Sequence, residues 1–102
     1  MYLVYLNPYH LTDMLLDWTK DLQIKLGTTF SNTMILKLVV HTAFAFERVV
    51  KNDPLNYSDP WREELKGPLE AVDATLASLE QKLVLFLNPD EKLFIAEVLL
   101  NE

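Results

Sequence analysis

Ile35-Leu36-Lys37-Leu38-Val39-Val40-His41-Thr42-Ala43-Phe44-Ala45-Phe46-Glu47-Arg48-Val49-Val50 is the stretch whose reading decides the fold. It is apolar at almost every position, which a helix tolerates when most of its circumference is buried. Sixteen residues of this kind without glycine or proline read as a central helix. The stretch carries one imidazole, His41, and a guanidinium seven residues later, Arg48. Seven residues turn a helix by roughly 700°, so the two share a face. Lys37 precedes His41 by four residues, on nearly the same line.

Outward from this helix the chain punctuates itself. Toward the N-terminus, Thr28-Thr29-Phe30-Ser31-Asn32 is a short polar link in which Ser31 or Thr29 can cap the central helix. Before it, Leu11, Met14, Leu15, Trp18, Leu22 and Leu26 recur at three- and four-residue steps, opened by Asn7-Pro8 and ended by Gly27. Asp13, Asp17 and Asp21 form a row on its other face; Lys20 and Lys25 relieve it, and a solvated face is the reading adopted over a cation site. Toward the C-terminus, residues 51–60 hold two prolines and two asparagines and read as a loop within one domain. Asp59-Pro60-Trp61 predicts a short third helix through about Lys66, interrupted by Gly67-Pro68. Leu69, Val72, Leu76, Leu79, Leu83 and Phe86 mark a fourth helix. Asn88-Pro89-Asp90-Glu91 has the form of a capping box and opens a fifth, with Leu93, Phe94, Ile95, Val98 and Leu99 on its apolar face. The expectation is an all-α fold, a compact bundle of about five helices over residues 8–102. Residues 1–7 read as a lead-in, the end of a preceding element of something longer.

Composition narrows the function. Half of the 102 residues are hydrophobic and only two are glycine, as in a chain with a core of its own. The formal net charge of −6 argues against direct nucleic-acid binding, which needs clustered Lys and Arg. The absence of cysteine excludes disulfides and thiolate metal sites and suits a cytoplasmic location. No apolar run approaches the ~20 residues of a membrane span.

Catalytic sets are missing from the sequence. Two glycines cannot build a phosphate loop, there is no cysteine nucleophile, and His10 and His41 have no metal-ligand spacing. The expectation is no enzyme, no cofactor and no metal. His10 lies in a first turn and reads as a surface residue. His41 leaves two readings open: a core histidine satisfied by a neighbour, or a nucleophile that accepts a phosphoryl group. Neutral imidazole can attack phosphorus near pH 7 without a separate base. The product gains roughly two negative charges, which a nearby Lys or Arg can take up.

His41-Thr42-Ala43-Phe44-Ala45-Phe46-Glu47-Arg48, followed by a loop and the capped stretch Asn88 to Ala96, resembles the phosphotransferase-system regulation domain, the PRD. The form is most like the last PRD of LevR-type transcriptional activators. The resemblance covers residues 8 to about 100. It implies that His41 is the phosphoacceptor, with Arg48 its companion arginine; Lys37, by its spacing from His41, is a further cation near the phosphate. It also implies the phosphocarrier HPr or a sugar-specific enzyme IIB as donor, and control of an attached effector through the packing of paired PRDs. Two positions depart from the pattern. Val40 stands where antiterminator-type members often have Asp, and the stretch Ile95 to Leu99 lacks the second acceptor histidine many members carry. One acceptor is therefore expected.

The expected function is that of a regulatory domain of a bacterial sugar-utilisation regulator, homodimeric through PRD contacts, with Phe30, Tyr57 and Trp61 contributing apolar surface. The rival is a constitutive helical oligomerisation module. Whether His41 is reachable from solvent separates the two.

Overall fold

The computed structural model describes residues 8–53, 55 and 61–101. Four α-helices carry the fold: α1 (Pro8–Leu26), α2 (Asn32–Lys51), α3 (Lys66–Leu83) and α4 (Pro89–Leu100). No strand occurs among the described residues. Among the described residues the all-α expectation holds, with one helix fewer. The short third helix is a single 3-10 turn, Glu63–Leu65, that runs straight into α3. Gly67-Pro68 lies inside the first turn of α3 and does not break it, because proline there removes only an N–H that no helical carbonyl would bond.

Local chemistry sets the ends. Ser31 caps α2, its side chain accepting from Met34 N–H at 3.1 Å. Gly27 terminates α1 at φ +68°, the left-handed conformation that glycine adopts without a Cβ penalty. The opening of α1 by Asn7 lies outside the described residues, as do residues 56–60 of the expected loop. α3 stops at Leu83, where Val84 turns left-handed, so Phe86 leaves the helical stripe and stands exposed.

Helix α1 packs on α2 and α3, and α4 packs on the same two. The shared core takes Leu15, Trp18 and Leu22 from α1, Leu38 and Phe46 from α2, Val72 and Leu76 from α3, and Ile95 from α4. Leu11, Met14, Leu15, Trp18, Leu22 and Leu26 of α1 are buried or half-buried as their spacing predicts, and Trp18 Nε1 donates to Thr75 Oγ1 at 2.9 Å, tying α1 to α3.

One expectation about α2 fails. Its buried face is Met34, Leu38, Thr42, Ala45 and Phe46. Leu36, Val40 and Phe44, at four-residue steps, are 64, 40 and 53% exposed. Among the described residues, α1 and α4 are the helices that pack most on α2, and its outward side keeps an apolar stripe.

Candidate functional site

His41 stands at the middle of α2, half-buried, on the seam with α4. Its ring meets Phe94 of α4 with centroids 5.2 Å apart and planes at 79°. It is therefore not closed off on every side. Lys37, one turn earlier, is exposed.

Arg48, nearly two turns later, also belongs to this seam. Its Nε donates to Glu91 Oε2 and its Nη2 to Glu91 Oε1, both at 2.7 Å. This is the two-pronged geometry in which guanidinium and carboxylate match best. The Arg48 side chain is 27% exposed and that of Glu91 only 1%. The hydrogen bonds to Glu91, supported by the charges of Glu91 and Asp53, raise the Arg48 pKa above its ordinary value although burial opposes this. Arg48 therefore reaches from α2 to the facing helix α4. Arg48 and Glu91 also wall a recess of about 170 Å³ with Asn52, Asp53, Phe86 and Asn88.

Glu91 is the residue whose role sequence reasoning missed. Asn88 caps α4 as expected, accepting from Glu91 N–H at 2.9 Å. The second half of a capping box would turn the Glu91 side chain back to the Asn88 N–H. Here that carboxylate reaches across to Arg48. The signal in the sequence was a glutamate at the third position of the helix, which serves a capping box and a buried ion pair equally well.

Helix α4 is fastened on its other sides as well. Lys92 Nζ donates to Asp73 Oδ1 at 2.6 Å and lies 3.5 Å from Glu80 Oε1. Buried Glu80 accepts from Leu87 N–H at 2.8 Å. Arg62 pairs with Glu97, the residue in the stretch where a second histidine was sought.

The remaining sequence candidates fall outside the seam. His10 is exposed on α1. Asp13, Asp17 and Asp21 are all exposed, with Lys20 4.0 Å from Asp17. Among the described residues, no three His, Cys, Asp or Glu side chains gather where they could hold a metal ion, and no helix is long and apolar enough to cross a membrane. Trp61 is exposed, Phe30 packs half-buried against the core, and Tyr57 lies outside the described residues.

The chain is 46% identical over 103 residues to part of the transcriptional regulatory protein LevR of Bacillus subtilis (strain 168). The match takes in 99% of this chain and spans 11% of the length of that relative. No solved structure matches. Residues 16–102 match the PRD domain family, and with both the family pattern and the relative covering most of its length, the chain belongs to the PRD domain family.

Proposed function

We propose that residues 8–102 form one regulatory domain of a LevR-like transcriptional regulator of sugar utilisation, in which His41 is phosphorylated by the phosphotransferase system. One observation supports this above the others: a half-buried imidazole on a helix–helix seam, with Lys37 and Arg48 on its own helical face. A phosphoryl group passes from HPr or a sugar-specific enzyme IIB. The donor's bond to phosphorus breaks as one imidazole nitrogen of His41 bonds to phosphorus, and the other nitrogen keeps its proton. The domain does no chemistry of its own beyond accepting the group, needs no cofactor, works in the cytoplasm and leaves contact with DNA to another part of the regulator.

The added charge, roughly two units, re-biases helix packing or pairing between domains. The stripe Leu36-Val40-Phe44, immediately beside His41, is the face a second copy of the domain covers in a homodimer. A second reading, a constitutive oligomerisation module, draws on the same stripe and assigns no chemistry to His41.

Phosphoryl transfer decides between them. The chain is incubated with phosphoenolpyruvate, enzyme I and HPr, with and without enzyme IIB proteins, and intact mass is read beside the His41→Ala variant. One acid-labile phosphoryl group, lost in the variant, is the expected result. No label from any donor on a folded chain moves the assignment to the oligomerisation module.

A further inference from the structure

Helix α2 presents His41 and Arg48 to α4, and α4 presents Phe94 and Glu91 in return. These are neighbouring rungs of one seam, since Glu91 and Phe94 are three residues apart on α4. We infer that Arg48 changes partner when His41 is phosphorylated, leaving Glu91 for the phosphoryl group, and that Glu91 thereby sets how strongly the modification loosens the first turn of α4. The inference rests on His41 being the acceptor.

Geometry permits the exchange. His41 and Arg48 are separated by about 10 Å along the axis of α2. Helical side chains lean toward the N-terminus, so Arg48 leans toward the turn that carries His41. A phosphoryl group can offer two of its three oxygens to the planar guanidinium fork, as a carboxylate offers its two, and carries more charge. Arg48 is partly exposed and can swing without losing solvation, whereas Glu91 is 1% exposed and both its oxygens accept from Arg48.

The consequences for the two residues differ. Arg48 trades one anion for a stronger one. Glu91 is left as a buried carboxylate without its cation, which a protein interior tolerates badly. Relief comes when the start of α4 moves until Glu91 meets water. The motion is directed, because the adjacent Lys92 stays bound to Asp73 and Glu80 of α3. Helix α4 therefore parts from α2 while keeping its hold on α3. Glu91 is a positioning residue in this scheme, opposing phosphorylation by retaining Arg48.

Reciprocity supplies the test: whatever phosphorylation does to the Arg48–Glu91 pair, that pair does to phosphorylation. The 102-residue chain is equilibrated with phosphorylated donor, and the ratio of phosphorylated chain to phosphorylated donor is read by intact mass. Glu91→Gln keeps the shape of the side chain and removes the competing charge. It should raise the ratio about tenfold, and only while Arg48 is present, so that Arg48→Gln/Glu91→Gln matches Arg48→Gln alone. A merely structural Glu91 leaves the ratio unchanged or lowers it, and either result overturns the inference while phosphorylation of His41 stands. If intact mass shows no label on His41, the proposed function falls and the exchange falls with it. Should Glu91→Gln fail to fold, the wild-type chain answers by nuclear magnetic resonance. Coupling of the Arg48 side-chain nitrogens to phosphorus after labelling is the expected result, and an Arg48 Nε–H signal unmoved by labelling refutes it.

Discussion

The imidazole of His41 and the ring of Phe94 meet nearly at right angles, 5.2 Å apart, and in doing so join the middle of α2 to the middle of α4. Edge-to-face pairs of this kind contribute about 0.5–1.5 kcal/mol beyond the area they bury. Phe94→Leu keeps most of that area and removes the ring. The expected outcome in urea denaturation is a loss of about 1 kcal/mol with an unchanged m-value. Combined with His41→Ala the losses should fall short of additive, because the variants share one contact.

Removing one member of the Arg48–Glu91 pair and removing both should have opposite consequences. Arg48→Ala leaves the Glu91 carboxylate buried without its cation and opens a gap in the seam, and a loss of about 3 kcal/mol is expected. The double variant Arg48→Met/Glu91→Leu replaces charge with apolar volume and should restore most of that stability, or exceed the parent. Thermal and urea denaturation of the parent and the two variants check this.

Val84 ends α3 at φ 53° with its side chain 65% exposed. A β-branched residue in the left-handed region is strained, and this one gains no burial in exchange. Val84→Gly should stabilise the chain by about 1 kcal/mol, and Val84→Ala, which keeps the Cβ clash, by much less. The pair of melting curves tells relief of backbone strain apart from loss of an exposed apolar group.

The sequence made three of the four helices legible nearly to the residue, because Ser31, Gly27 and Asn88 act through short-range capping physics. It misled where a local signal had two structural uses. Gly67-Pro68 reads as a break, yet a first turn accommodates both residues. The apolar period of α3 extends to Phe86 in the sequence, and nothing in the spacing tells where the backbone turns left-handed. The candidate site divides the same way. That His41, Lys37 and Arg48 share a face follows from helical geometry alone. That Glu91 takes Arg48, and that Leu36, Val40 and Phe44 face outward, depends on which helices pack where. An apolar run on a helix does not say which of its sides the partners leave bare.

Thr42, next to His41, is fully buried, and its hydroxyl has no hydrogen-bond partner among the described residues. An unsatisfied buried hydroxyl costs about 1–3 kcal/mol. Thr42→Val keeps the shape and removes the polar atom, so a gain of about 1 kcal/mol in urea denaturation is expected. Thr42→Ser, which retains the hydroxyl and loses a methyl group, should be less stable than the parent.

Lys92 gives the chain a pH dependence on the alkaline side. Burial opposes its charge, but hydrogen bonding to Asp73 and the charge of Glu80 outweigh that and raise its pKa above the ordinary 10.5. A cation held more tightly in the folded chain than in the unfolded one stabilises fully below the unfolded value. That contribution drains away as pH rises from about 10.5 through the higher folded value. Stability measured by urea denaturation should therefore fall across that window. Lys92→Met should be less stable than the parent at neutral pH, since it leaves buried Glu80 without its cation, and should show a flatter alkaline slope. An identical slope in parent and variant would assign the alkaline loss to other groups and remove Lys92 as the fastening between α3 and α4.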